Sequence, residues 1–253
     1  MQRGIDLNAD LGESFGAWRL GDDAAMFALV SSANVACGFH AGDPRAMRAS
    51  ADRAVRHGVA LGAHPGYRDL AGFGRRALDV AADELAAEVL YQVGALEAIA
   101  RAAGTHVRYV KAHGALYHRL AADAAAAASV IDALTAGASG LVVLGPPSGE
   151  LERAAAAGGI RYAREAFIDR GYLADGRLVP RDHPDALVHD AGRAADRALE
   201  LVETGGIAAV DGTRVDLRPD SLCLHGDTPG AVDLARAVRA ALDRAGHDVR
   251  SFA

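Results

Sequence analysis

The side chains able to do chemistry come in short polar clusters, each at or after an apolar stretch. Asp6, Asn8, Asp10 and Glu13 come first. Asn34 and His40, His64, Lys111 and His113, then Glu165, Asp169 and Arg170, and finally His225 and Asp227 follow. Two chemistries could use this set. In one, Asp10, His40 and His64 hold a divalent ion such as zinc with a position open for water, and His113 or Glu165 handles protons. In the other, Asp10 or Glu165 is the general base for water, while Lys111 and the histidines stabilise an oxyanion. Neither an HExxH motif nor a closely spaced Cys/His pair is present, so both chemistries stay open. The plainer alternative is a polar network that only positions a ligand. One such histidine is ordinarily a satisfied, half-buried side chain. Four, following four separate apolar stretches, would need four coincidences. His57, His106 and His247 lie near expected helix ends, where a cation favours the dipole, and take no role.

Of the 27 basic residues only Lys111 is lysine. A lone lysine in a chain that otherwise uses arginine suggests a need for a compact, titratable ammonium, which a guanidinium cannot mimic.

Bringing these clusters together requires strands that end on one side. Ile5 and Leu7 alternate with Asp6 and Asn8, the period of a strand, and Asp6 is expected to shape the core. Further strands are expected at 32–38, 59–63, 107–112, 140–144, 160–163 and 221–224, with a short addition at 210–215. Between them, helices are expected at 22–30, from Asp43 and Pro44 to Gly58, at 81–103, 121–136, 148–158 with Ser148 as cap, and 183–204. A last helix starts at Thr228 and Pro229 and ends at Gly246. Residues 171–182 read as a hairpin or loop excursion around Asp175 and Gly176. The glycine-rich loop 68–76 has the composition of a mobile lid or of an ordinary surface loop. Seven main strands alternating with helices imply a parallel sheet with right-handed crossovers. A seven-stranded (β/α) barrel formed by 1–253 as one domain is the first expectation, and an open doubly wound sheet the second.

Composition narrows the function classes. The net charge of −6 argues against a general nucleic-acid binder. Cys37 and Cys223 lie far apart in apolar stretches, which suits a reducing compartment rather than a disulfide scaffold. No signal-peptide pattern and no bilayer-length apolar run is present, so a cytoplasmic protein without membrane partners is expected. A GxxxxGK[ST] phosphate loop is absent, as is GxGxxG after the first strand, so the chain carries no standard means of holding a nucleotide.

Six segments in order, DLNADLGESFG, NVACGFHAGDP, GAHPGYRD, VKAHGALY, REAFIDRGY with DGRLVPR behind it, and CLHGDTP, resemble the LamB/YcsF family from Ile5 to the C-terminal helix. The resemblance implies a (β/α) barrel similar to the glycoside hydrolase/deacetylase superfamily. It implies ATP-dependent opening of 5-oxo-L-proline to L-glutamate with separate 5-oxoprolinase subunits B and C, the ATP being consumed by the complex. Within that reading Asp10 or Glu165 activates water, and Lys111 and His113 stabilise negative charge. Asn8, Glu13, Asn34, His225 and Asp227 contact substrate, and Arg170 holds its carboxylate. The superfamily's deacetylases use an Asp and two His on a metal, which favours Asp10, His40 and His64, although their HxxxH pair is missing here. The rivals are a metal-dependent carbohydrate deacetylase acting alone and a binding protein whose catalysis resides in its partners.

Overall fold

A computed structural model describes residues 4–138, 140–227 and 230–253. Its strands are β1 (Asp6–Leu11), β2 (Ser32–Ala36), β3 (Ala60–His64), β4 (Val107–Lys111), β5 (Val142–Gly145), β6 (Tyr162–Phe167), β7 (Gly206–Ala208), β8 (Arg214–Asp216) and β9 (Ser221–His225). Its helices are α1 (Asp23–Met26), α2 (Pro44–His57), α3 (Ala82–Ala102), α4 (Gly114–Ala122), α5 (Ala124–Gly137), α6 (Glu150–Ala157), α7 (Ala191–Thr204) and α8 (Ala231–Arg244). Seven parallel strands close in the order β1-β2-β3-β4-β5-β6-β9, the barrel expected from the alternation. The remaining β7 and β8 form a separate antiparallel pair.

Period-two alternation sorts each barrel strand into two faces. On β1, Leu7, Ala9 and Leu11 join the apolar layer under the helices, and Asp6, Asn8 and Asp10 point into the barrel. The interior is therefore polar along one side. A smaller apolar plug of Tyr109, Val142, Leu144, Ala163 and Ala60 fills the other, closed from outside by Phe252. The Tyr109 ring occupies the space that a side chain on Gly62 would take: an added Cβ there would lie 2.2 Å from the ring.

Several expected elements differ. The helix expected at 121–136 is α5, and an unexpected helix, α4, precedes it at an angle of 107°. Asp123 makes the break, its carboxylate accepting from the amides of Ala125 and Ala126 as the N-cap of α5. Only the later part of 183–204 is helical, because Asp190 caps α7 at Arg193. The segment before it folds back instead, with Tyr172 bridged to Leu178 and Arg170 to Leu187. The strand expected at 210–215 straddles a turn at Asp211 and Gly212, and β7 and β8 flank it. Ser148 does not cap α6: Gly149 is the N-cap, and the Ser148 amide donates to Glu152. At 22–30 only α1 is helical. Several strands run further than expected, so His64, Glu165 and His225 lie within β3, β6 and β9 rather than beyond them. The helix start expected at Thr228 and Pro229 lies outside the described residues. Among the described residues no single helix is long and apolar enough to cross a membrane.

At the end of the barrel where the strands begin, the buried Asp6 carboxylate accepts from the hydroxyls of Ser31 and Ser32, each at 2.6 Å, and from Ser221. Burial raises its pKa to about 6 despite these three donors. The folded state thus keeps a proton that the unfolded chain releases near 3.8. Stability from this group is full below pH 4 and is lost as pH rises through about 6. We predict that Asp6→Asn removes this slope. Its unfolding free energy relative to the wild type should gain on the order of 3 kcal/mol between pH 4 and 7, then stay level. Urea unfolding across that range checks it, and a pH-independent difference would contradict it.

Candidate active site

The centre of the barrel holds Lys111. Its Nζ lies 2.9 Å from Asp10 Oδ1, 2.9 Å from Glu165 Oε1, 3.1 Å from Cys223 Sγ and 3.4 Å from Asn8 Oδ1. These partners come from β1, β6 and β9, so only a closed sheet assembles them. Burial works against the Lys111 charge, but Asp10 and the neighbours around it win and raise its pKa well above the usual lysine range. Burial likewise works to raise Asp10, yet His64 and Lys111 hold it well below the carboxylate range. Asn34 Nδ2 bridges Asn8 and Asp10, both at 2.7 Å, and the Asn34 oxygen accepts from the Tyr109 hydroxyl. Glu165 contacts Lys111 as a charge but not in hydrogen-bond geometry, so both its oxygens lack a hydrogen-bond partner.

Beside this box three histidines close on one another. The rings of His40 and His113 stack at 3.8 Å, and the His64 ring stands perpendicular to both. His64 Nδ1 is 2.8 Å from the Lys111 carbonyl, and His113 Nε2 is 2.8 Å from the Phe73 carbonyl. A carbonyl only accepts, so those nitrogens carry the hydrogens. Burial lowers the pKa of His40 and of His113 well below the usual histidine range, leaving neutral imidazoles. Burial, then the Asp10 charge, pushes the neighbouring Glu13 carboxyl well up. Glu13, His40, His64 and His113 each offer a ligand atom within 4.8 Å of the others, a set with the composition of a metal site.

The loop 68–76, expected as a lid or a surface loop, is built into this cluster. Gly74 has φ +64, and a Cβ there would meet His40 Cβ at 2.7 Å and His113 Cδ2 at 2.9 Å. Asp69 ties the loop together by accepting from the Gly72 amide and Arg76. Gln92 on α3 exchanges two 3.0 Å bonds with the backbone of Gly66 and so fixes the chain just beyond His64.

The opposite wall has a different character. His225 Nδ1 is 2.8 Å from Asp169 Oδ2, and its Nε2 is 3.0 Å from Arg181 Nη2. The Asp169 carboxylate also accepts from the His225 amide, and among the described residues its buried Oδ1 has no partner. The carboxylate thus fixes the tautomer and leaves Nε2 as the basic atom. A cavity of about 1130 Å³ opens between the walls, reaching Asp10, Lys111, His113, Arg170, Arg181 and His225. Neither Glu13 nor Glu165 lines it. Arg75 at the rim pairs with Asp227 at 2.7 Å. Arg170 spends Nε and Nη2 on the carbonyls of Ala186 and Val179, holding the folded-back segment. Burial and then Arg181 lower its pKa to about 10. Among the described residues neither Arg170 nor Arg181 makes a salt bridge, so an anion in the cavity would find two guanidiniums not committed to carboxylates.

The expected residues therefore gather at one end of the barrel but in two groups. Asp10 sits with Lys111 and Asn34 and reaches His64 Nε2 at 3.4 Å, while His40 lies against Glu13 and His113. Glu13, expected to touch substrate, faces His40 and His113 instead at 3.7 and 3.8 Å. His113 points both nitrogens inward, which leaves no N–H for an oxyanion in the cavity. His225 stands apart from the other histidines, against Phe167. Sequence reasoning assigned no role to Arg181, His118 or Asp169, although all face or support the cavity. Asp169 carried a signal as a strand-end acid in the REAFIDRGY segment, and Arg181 as the last residue of DGRLVPR.

A relative from Paracidovorax citrulli, named as the A subunit of 5-oxoprolinase, is 56% identical over 249 residues, covering 98% of this chain and 99% of that one. The crystal structure of a lactam utilization protein from Thermus thermophilus superposes with a TM-score of 0.93 at 46% identity, covering 98% and 100% of the two chains. A peptidoglycan N-acetylglucosamine deacetylase, at 10% identity and a TM-score of 0.50 over 99% of this chain and 86% of that one, shares the fold alone. The LamB/YcsF family profile matches residues 5–253, and the chain belongs to that family.

Proposed function

We propose that this chain is the A component of an ATP-dependent 5-oxoprolinase that opens 5-oxo-L-proline to L-glutamate with separate B and C subunits. The observation that carries this reading is 56% identity over nearly the whole length to a protein named as the A component of 5-oxoprolinase. The cavity supports it, because it combines cations for a carboxylate with a base for water. Two buried, unpaired cysteines suit the cytoplasm. A carbohydrate deacetylase acting alone has only a likeness of fold behind it.

The lactam is an unstrained amide, which is why opening is coupled to ATP. Transfer of the γ-phosphoryl group to the lactam oxygen gives a phosphorylated imidate. Water adds to that carbon, and the carbon–nitrogen bond then breaks. The ring nitrogen leaves as the amine, and the carbon becomes an acyl phosphate. A second water releases phosphate, so lactam, ATP and two waters become glutamate, ADP and phosphate. This sequence has no phosphate-loop motif, so the phosphoryl transfer falls to the partners and water addition to this cavity.

Asp10 is ionised but too weakly basic to be the best base, since proton transfer favours a group that titrates near working pH. His225 is better placed, with Asp169 orienting Nδ1 and Nε2 facing the cavity, the arrangement that serves acyl-transfer enzymes. Asp10 and Lys111 supply a fixed dipole at the floor. Arg181 covers Nε2 of His225, and turning toward a substrate carboxylate would uncover it. A cation held by the histidine cluster would add only its electrostatic field beside this floor.

Glutamate release from 5-oxoproline should require ATP and all three subunits, and no release from the complete set would defeat the reading. His225→Ala should lower kcat by about 10²–10⁴-fold while the complex still assembles. Arg181→Ala should act mainly on KM, raising it roughly 10–100-fold, the worth of one charged hydrogen bond. An unchanged KM would remove Arg181 from substrate binding. Lys111→Met should cost about 3–5 kcal/mol of stability by leaving two buried carboxylates unpaired. Adding Glu165→Gln should return part of that loss, and strictly additive costs in urea unfolding would contradict the pairing.

A further inference from the structure

We infer that Glu13, His40, His64 and His113 bind one divalent cation of the zinc class through four protein ligands. The inference stands independently of the lactam reading. It begins with a conflict of lone pairs. His64 Nδ1 and His113 Nε2 each carry their hydrogen toward a carbonyl, so His64 Nε2 and His113 Nδ1 face each other as acceptors at 3.0 Å. Two acceptors at that distance repel unless a proton sits on one of them or a metal cation takes that proton's place. The site is also left open on its other sides. Among the described residues, both nitrogens of His40 and Oε1 of Glu13 are buried with no hydrogen-bond partner. Buried polar atoms without partners are rare and ask for an occupant.

The spacings fit a particular kind of occupant. Zinc–ligand bonds of about 2.0–2.1 Å in a tetrahedron put ligand atoms roughly 3.3 Å apart. Here His113 Nδ1 lies 3.0 Å from His64 Nε2 and 3.8 Å from Glu13 Oε1, and Glu13 Oε1 lies 3.7 Å from His40 Nε2. Three imidazoles and one carboxylate suit zinc and its neighbours, whereas magnesium and calcium prefer oxygen throughout. The carbonyls of Lys111 and Phe73 act as the outer partners that fix ligand tautomers in metal sites. Gly66 and Gly74 press on the His40 and His113 rings, where added Cβ atoms would come within 2.5 to 2.9 Å, and because those rings lie parallel at 3.8 Å a shared ion requires one of them to turn on binding. Asp10 is excluded from the set. Its Oδ1 is taken by Asn34 and Lys111, and its Oδ2 stands 3.4 Å from His64 Nε2 alone. Four protein ligands close the coordination sphere, so the ion would brace loop 68–76 against the barrel through Phe73 and His113.

The test strips the full-length protein with chelator, re-exposes it to Zn²⁺ and measures bound zinc after gel filtration. The wild type should hold one equivalent and unfold at a higher temperature than the stripped protein. Co²⁺ in its place should give the intense visible absorption of a four-coordinate ion. His40→Ala and Glu13→Gln should each weaken binding by about 10–100-fold or more, and Asp10→Asn should keep one equivalent. A wild type that takes up no stoichiometric zinc overturns the inference, whatever the variants do. Loss of the ion in Asp10→Asn with retention in His40→Ala overturns this ligand set in favour of an Asp10-centred one.

Discussion

One buried ammonium organises the barrel. Lys111 sits in a space where an isolated charge would cost several kcal/mol, so its partners must arrive together and in register. They come from β1, β6 and β9, and Asn34 on β2 braces two of them. A one-residue slip of β4 would turn Lys111 out into the apolar layer under the helices and bring Val110 into the polar interior. Apolar packing around the outside supplies the bulk of the stabilisation but tolerates many arrangements. The charge box admits one. Ion pairs of this kind give little net stability over apolar packing, and their consequence here is geometric, because they fix which strands are neighbours and at what height.

Glycine and tyrosine complete that constraint. A barrel of seven strands leaves an interior that side chains must fill, and the polar half contributes short residues such as Asp6, Asn8 and Asn34. Tyr109 spans the remaining width, its ring against Gly62 and its hydroxyl on Asn34 Oδ1. The same ring contacts Phe252 at 5.0 Å and so links the chain's C-terminal end to the floor of the site. The end of the barrel where strands begin is thereby sealed, and chemistry is confined to the other end, as in other parallel barrels.

Strand alternation made the barrel legible from sequence, because each interior acid, amide or histidine breaks an apolar run at a fixed parity. Asp6, Asn8 and Asp10 could be placed on one face by that rule alone, and Lys111 stood out by composition. Pairings between strands were not legible. Nothing local says that Glu13 turns toward His113, or that Asp169 meets His225 across 56 residues. Helix propensity also misled where capping decided the outcome. The alanine run expected as helix at 121–136 is α5, but it starts only after Asp123, whose carboxylate caps it and turns the chain away from α4. Residues 183–189 read as the start of a helix, but Arg170 draws the Ala186 carbonyl, with that of Val179 before it, to the cavity wall, a tertiary effect invisible in the segment itself.

The two halves of the site are joined by β4. Its Lys111 side chain neutralises the carboxylates, and its Lys111 carbonyl fixes the tautomer of His64. Phe167 lies between the halves, with the Lys111 ammonium 5.0 Å over its ring and the His225 ring stacked at 5.3 Å. The histidine cluster is inward-facing and enclosed by its own members and their carbonyls, so it has little to offer an entering molecule except its field. The other half is the reverse. Arg170 and Arg181 line the cavity, and among the described residues neither has a carboxylate partner. Burial first, and then a neighbouring guanidinium, lowers the pKa of each: Arg181 acts on Arg170, and Arg75 on Arg181. Cations held close together in a cavity gain most when an anion enters. Ligand recognition therefore belongs to the β6–β9 side and structural rigidity to the β2–β4 side, with Lys111 setting the charge of the floor between them.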